Sequence, residues 1–226
     1  MIKGDLVTLD FFGVQTKLIF LGAGQSVFAF QNDPEIVYLI VPEHRFKNGE
    51  VLDDLSKDVL VDAYIASKGN PYLPEISYLG ADLVNGHPEL DNRYSKIYKM
   101  KYYRDLTPAD KALWLEMKQL HKVRADGKNA VYEAYEKKTK NNPSLTFLGN
   151  EAAKISVLLN NKHLSITLKA ALMHLYEALA SKNRDGLTFE FNLRNVGVDE
   201  TGHLILRDPV YDSDITVRLK NDRKES

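Results

Sequence analysis

The feature that most constrains the fold is a change of hydrophobic period near the middle of the chain. Before about residue 105, short runs rich in Leu, Ile, Val, Thr and Phe alternate with turn residues, as is typical of β-strands. A stretch at 50–67 interrupts them with helical spacing. Later apolar residues recur at helical spacing, most clearly over 165–181. The pattern predicts an α+β chain, with a β-rich lobe containing one helix at 1–104 and a mostly helical lobe at 105–226.

Turn and cap signals predict where the individual elements lie. The expected strands lie at 6–9, 16–21, 27–30, 36–41, 76–79 and 97–100. A helix is predicted to begin with Thr107 as its N-cap and Pro108 in its first turn, and a polar helix is predicted near 128–140. A hairpin of 195–198 and 203–206 follows, and the polar tail from Arg218 is expected to fray.

Composition excludes several classes of function. The 226 residues carry 30 Lys and Arg against 31 Asp and Glu, a net charge of −1 that argues against a nucleic-acid-binding protein or a polybasic membrane binder. The chain has no cysteine, which excludes thiol nucleophiles, disulfides and Cys-type metal sites. No apolar run approaches the ~20 residues of a membrane span, and no signal peptide opens the chain. We therefore expect a soluble, cytoplasmic protein.

An alternation of Tyr and Lys near residue 100 allows two interpretations. Aromatic side chains with basic neighbours can stack nucleic-acid bases, but a strand with buried aromatics and solvent-facing lysines gives the same pattern. We favour the strand, with aromatics inside and lysines outside. The residues concerned are Tyr94, Lys96, Tyr98, Lys99, Lys101, Tyr102 and Tyr103.

A glycine-rich turn between two predicted strands is the first segment with chemical potential. Gly22 and Gly24 follow Leu21, and two glycines one residue apart let backbone N–H groups approach a phosphate closely. The segment lacks the Gly-Lys-Ser/Thr of a P-loop, and a strand rather than a helix follows it, unlike a dinucleotide-binding fingerprint. An ordinary hairpin turn is the alternative interpretation.

Two later segments carry oxygen ligands suited to Mg²⁺. Glu190 stands five residues before Asn195, and Asp208 follows a strand of the predicted hairpin. The hairpin is expected to bring Asn195 and Asp208 together. Six histidines show no paired-ligand spacing, so a dedicated His-based metal site is disfavoured.

Together these segments resemble the protein-kinase-like fold, and more specifically the divergent early protein kinases of short-tailed bacteriophages. The matching stretches are Leu21-Gly22-Ala23-Gly24, Phe189-Glu190 to Asn195, Asp208-Pro209-Val210 and, between helix and strand, 70–76. The resemblance implies two lobes with a nucleotide cleft and a hinge at 100–104, which begins with Met100. It also implies ATP held under the glycine turn, Mg²⁺ on Asn195 and Asp208, Glu190 facing the acceptor hydroxyl, and the cytoplasm of a host cell as location.

The sequence departs from that family at several positions. Its third-strand lysine would fall within 36–40, where no Lys occurs, and Lys17 is a candidate replacement, with Lys47 as another. Asp54, Asp58 and Asp62 stand in the helix where the family has a Glu. Glu190 replaces the family's Asp; the extra methylene moves the carboxylate by about 1.3–1.5 Å, and a displacement of ~1 Å can cost roughly 10²-fold in rate. The chain ends soon after Asp208, without the family's long activation segment.

These observations leave three functions open. One is an ATP- and Mg²⁺-dependent Ser/Thr phosphotransferase acting on host proteins. Another is a catalytically degenerate pseudokinase that serves as a protein-binding or inhibitory module. The third is a kinase for a small molecule. The first two predict a protein substrate or partner.

Overall fold

The computed structural model describes residues 1–24, 26–121, 133, 134, 137 and 147–224. They form an α+β protein in two compact units. The first comprises 1–61, 75–102 and 212–226, and the second comprises 62–74 and 103–211. The sequence places one boundary after residue 104. The chain does pass from one unit to the other at 102–103, but 62–74 group with the second unit and 212–226 with the first.

The described residues contain twelve strands and five α-helices. In chain order these are β1 (Leu6–Phe11), β2 (Val14–Ala23), β3 (Phe28–Asp33), β4 (Ile36–Pro42), β5 (His44–Arg45), β6 (Val51–Leu52), α1 (Ser56–Ser67), β7 (Ile76–Val84), β8 (Arg93–Lys101), α2 (Lys111–Leu120), α3 (Phe147–Leu159), α4 (Ile166–Ser181), β9 (Leu187–Phe189), β10 (Gly197–Val198), β11 (Leu204–Ile205), β12 (Val210–Asp212) and α5 (Ser213–Lys224). No helix in this part of the chain is long and apolar enough to cross a membrane.

The first unit is built on a curled antiparallel sheet of six strands, in the order β1-β2-β3-β4-β8-β7. Its two outer strands meet at one end, where Asp10 and Asn85 exchange backbone hydrogen bonds of 2.9 and 3.1 Å. Alternate side chains of each strand point into the curl, as the period of a β-strand requires. The residues that fill this core include Leu9, Phe20, Phe30, Ile40 and Ile97.

The ends of two elements in this unit differ from the sequence-based predictions. The helix predicted from residue 50 begins at Ser56, because β6 pairs with β5 instead and Asp54 accepts a hydrogen bond from the Ser56 N–H at 2.8 Å. The tail expected to fray from Arg218 forms α5. There the Arg218 guanidinium lies 5.7 Å from the centre of the Phe46 ring.

The second unit contains α2, α3 and α4 and the short sheet of β10 and β11. The prediction of α4 is confirmed: Ser165 caps it, accepting from the Leu168 N–H at 3.1 Å, and its leucine stripe is buried. The prediction of Thr107 as the N-cap of α2 is wrong. Asp110 stands at the N-cap position without a capping hydrogen bond from its side chain, and Thr107 donates its hydroxyl to the Asp110 carboxylate at 2.8 Å. The polar helix predicted near 128–140 lies almost wholly outside the described residues.

Candidate functional site

The glycine-rich turn joins β2 to β3 as the sequence predicts. Gly22 has a φ of +140° at a bulge, a conformation that favours glycine. Gly24 donates its N–H to the Val27 carbonyl at 2.8 Å. After the turn, the Ser26 hydroxyl donates to the Asp54 carboxylate, whose other oxygen accepts from the first residue of α1. The turn and the start of α1 are thus held together by one buried carboxylate.

The other candidates of the first unit lie on two strands of the sheet, Leu21 and Lys17 on β2 and Met100 on β8. Leu21 is half-buried at the end of β2. Lys17 is exposed and lies opposite Thr8 of β1, on the face of the strand turned away from the core. Met100 is buried on β8, between Val37 and Ile76 of the neighbouring strands.

Lys96, which the sequence analysis predicted to face solvent, forms an ion pair with Asp58 near the start of α1. Lys96 stands two residues from both Tyr94 and Tyr98, so all three share one face of β8, and the predicted separation of aromatics from lysines is wrong here. On the neighbouring strand β4, the residue opposite Lys96 is Val41. The spacing of two residues between positions 94, 96 and 98 already indicates that Lys96 shares a face of β8 with the two tyrosines.

Lys96 contacts two carboxylates. Its Nζ lies 2.9 Å from Asp58 Oδ2 and 3.2 Å from Asp53 Oδ2. The buried Tyr98 donates its hydroxyl to Asp58 Oδ1 at 2.8 Å. Burial works against the charge of Lys96, but the hydrogen bond and charge of Asp58, together with Asp53, outweigh it and raise the Lys96 pKa. Burial, with the charge of Asp58, also raises the pKa of Tyr98, so both groups stay protonated at neutral pH.

The second unit brings Glu190, Asn195 and Asp208 together. The Asn195 side-chain amide donates from Nδ2 to the Glu190 carbonyl at 2.9 Å and to Glu190 Oε2 at 3.0 Å. The Asp208 N–H donates to the Asn195 carbonyl at 2.9 Å. Both hydrogen bonds to Glu190 use the NH₂ group of the Asn195 amide, so the amide oxygen is directed away from Glu190.

The loop that holds these residues is fixed at several points. Asn192 begins a single 3₁₀ turn by accepting from the Arg194 and Asn195 N–H groups at 2.9 and 3.2 Å. Arg207, next to Asp208, donates to the carbonyls of Tyr103 and Arg194 at 3.1 and 3.0 Å. The predicted hairpin forms as β10 and β11, and brings residue 208 back to the loop.

A buried polar cluster supports the strand that leads into this loop. The Glu151 carboxylate accepts from the Thr188 hydroxyl at 2.8 Å and from the Phe189 N–H at 2.9 Å, and it pairs with Lys154 at 2.8 Å. Glu190 follows directly and donates its N–H to the Pro209 carbonyl at 2.9 Å. The sequence analysis missed Glu151, because a single Glu in a helical segment is indistinguishable from a surface acid until its partners are known.

The donors at this loop fit one class of metal ion. Among the described residues, no group of three or more His, Asp and Glu side chains could hold a metal by itself. Mg²⁺ is usually bound by one or two carboxylates, with waters and substrate phosphates completing its octahedron. The Asn195 amide oxygen and the Asp208 carboxylate fit that pattern, and Mg²⁺ bound there would neutralise charge on a phosphate.

Comparison with protein-family models and with curated proteins gave no match to this chain.

Proposed function

We propose that this protein is a divergent protein-kinase-like phosphotransferase that uses ATP and Mg²⁺. The observation that carries the proposal is the convergence of Glu190, Asn195 and Asp208 in one braced loop. In phosphoryl transfer, a protein mainly positions the reactants and neutralises charge on phosphate oxygens. In the second unit, Glu190 supplies a carboxylate for the acceptor hydroxyl. Asn195 and Asp208 supply two oxygen ligands for Mg²⁺.

The first unit supports the proposal with the ion pair that the resemblance requires. Protein kinases pair a lysine of the sheet with an acidic residue of the helix that follows the third strand. Here Lys96 and Asp58 form such a pair at 2.9 Å, with the lysine on β8 instead of the strand where the family has it. Lys96, in preference to Lys17, is therefore our candidate for the phosphate-binding cation.

A ligand titration tests the metal and nucleotide part of the proposal. Ligand at about 100 times its Kd stabilises the native state by roughly 2.7 kcal/mol. We expect ATP to raise the thermal midpoint more with Mg²⁺ than without it, and Asp208→Asn to abolish the Mg²⁺-dependent part. The matched control is Asp185→Asn, which removes an exposed carboxylate in the same unit and should behave like the parent. An equal Mg²⁺-dependent shift in parent and Asp208→Asn would contradict the role of Asp208.

The glycine turn offers a second test that separates function from stability. A Cβ added at Gly24 would meet nothing nearer than the Val27 carbonyl at 3.7 Å, so the fold should accept Gly24→Ala. If backbone N–H groups of the turn bind phosphates, the added methyl group should lower ATP affinity while leaving the unliganded thermal midpoint unchanged. Unchanged affinity would contradict a role for Gly24 at the phosphates.

One observation favours a second candidate, a nucleotide-binding interaction module without transferase activity. Glu190 Oε2, which would have to face an acceptor hydroxyl, is engaged by the Asn195 amide of its own loop. Transfer of the ATP γ-phosphate to hydroxyls of proteins in a cell extract, lost in Asp208→Asn, would support the enzyme. Nucleotide binding with no transfer to protein or small-molecule hydroxyls would support the module.

A further inference from the structure

The two carboxylates that contact Lys96 are held very differently. Asp58 lies on α1, its side chain is 21% exposed, and its second oxygen accepts from the buried Tyr98 hydroxyl at 2.8 Å. Asp53 precedes the helix, its side chain is 45% exposed, and its contact with Lys96 is longer, at 3.2 Å. The ion pair of Lys96 with Asp58 is therefore the stronger of the two. Replacing Asp53 by another anion at Lys96 costs less free energy than replacing Asp58.

Two carboxylates share the ammonium group of Lys96. Asp53 and Asp58 both contact its Nζ, so a ligand oxygen that binds this group has to share it with them or displace one of them. Because Asp53 is the more exposed of the two carboxylates, a phosphate with several charged oxygens can compete with it for the ammonium group.

We propose that Asp53 occupies the position on Lys96 that a nucleotide phosphate takes, and is displaced when nucleotide binds. Asp58 stays in place and acts as the positioning residue that keeps Lys96 directed to the ligand. This inference rests on the proposed function, since it assigns Lys96 to a phosphate of ATP. It makes Asp53 a built-in competitor that lowers nucleotide affinity.

The two carboxylates should then respond to neutralisation in opposite directions. Asp53→Asn removes the competitor and one repulsive charge, and we expect it to tighten MgATP binding about threefold to tenfold. Asp58→Asn removes the group that positions Lys96, and binding should weaken. The gain from Asp53→Asn should shrink as salt concentration rises, because Asp53 is solvent-exposed and its charge is screened.

The experiment is an isothermal titration of MgATP into the parent protein and four variants. Asp53→Asn and Asp58→Asn are the test variants, and Glu35→Gln, which removes an exposed carboxylate elsewhere in the first unit, is the matched control. Asp58→Glu keeps the charge and should bind more tightly than Asp58→Asn. Far-ultraviolet circular dichroism and the unliganded thermal midpoint establish that each variant is folded, so that a folding defect in Asp58→Asn is recognised and the result for Asp53→Asn still decides.

The outcomes separate the inference from the proposed function. Tighter binding by Asp53→Asn, with the control at the parent value, supports the competition. Equal or weaker binding by a folded Asp53→Asn, in a parent that does bind MgATP, overturns the inference and leaves the proposed function standing. No binding by the parent or by any variant overturns both. A gain that Glu35→Gln shares would point to a general charge effect and would also overturn the competition.

Discussion

Replacing Glu151 by Ala should destabilise the second unit by about 3–5 kcal/mol. Glu151 is 1% exposed and uses both carboxylate oxygens. Its loss would remove the acceptor of the Thr188 hydroxyl and of the Phe189 N–H, at 2.8 and 2.9 Å, and the counter-ion of Lys154 at 2.8 Å. Removing one partner of a buried ion pair typically costs this much, because the remaining charge stays desolvated and loses the attraction that offset its desolvation.

Urea unfolding of three variants tests that reasoning. We expect Glu151→Ala to lower the unfolding midpoint strongly and Lys154→Met to lower it less. A combined Glu151→Leu and Lys154→Met variant should recover much of the loss, because replacing both partners by apolar groups of similar volume is often neutral. A loss below about 1 kcal/mol for Glu151→Ala, with an unchanged slope of free energy against urea, would refute the claim that this buried carboxylate braces β9.

Three further predictions concern stability. Burial, with the charge of Arg93, lowers the pKa of His44 from 6.5 to about 4. The folded state therefore binds a proton at His44 less readily than the unfolded state. The free energy of unfolding should fall as pH decreases from 6.5 towards 4. Thermal unfolding across that range should show a weaker pH dependence in His44→Leu, and an identical profile would contradict the assignment. Gly197→Ala should lower the urea midpoint by the equivalent of about 1–3 kcal/mol, since its Cβ would lie 2.6 Å from the Tyr103 Cβ; an unchanged midpoint would show that this close approach is not there. Ser165→Ala should cost about 1 kcal/mol in thermal denaturation through loss of the α4 cap, and an unaltered midpoint would speak against that cap.

The sequence pattern predicted the elements in which buried residues recur at a regular spacing. The leucine stripe of α4 and the hairpin of β10 and β11 were predicted correctly, because each depends on contacts within a short stretch of chain. The beginnings of α1 and α2 were not, because side-chain hydrogen bonds mark them: Asp54 accepts from the Ser56 N–H, and Asp110 accepts from the Thr107 hydroxyl. Helix ends depend on such side-chain bonds, which the apolar period does not reveal.

The candidate site was recoverable from sequence only in part. A short hairpin brings Asn195 and Asp208 together, and the motif spacing already implied that. Glu190 joins them by accepting a hydrogen bond from the Asn195 amide. The pairing of Lys96 with Asp58 joins residues 38 positions apart and depends on which face of β8 lies against α1. Only the three-dimensional arrangement of strand and helix identifies that pair, and Lys17 was the more obvious candidate from order alone.

Locating the metal is the most direct test of the proposed phosphotransferase. Paramagnetic Mn²⁺ can replace Mg²⁺ and broadens the NMR signals of nearby nuclei, so a titration of the isotope-labelled protein with Mn²⁺ and ATP reports where the ion binds. The account predicts ATP-dependent broadening centred on the amide signals of Asn195 and Asp208, and none there in Asp208→Asn. Broadening centred on Asp53 and Asp58, or no selective broadening at saturating ATP, would contradict it.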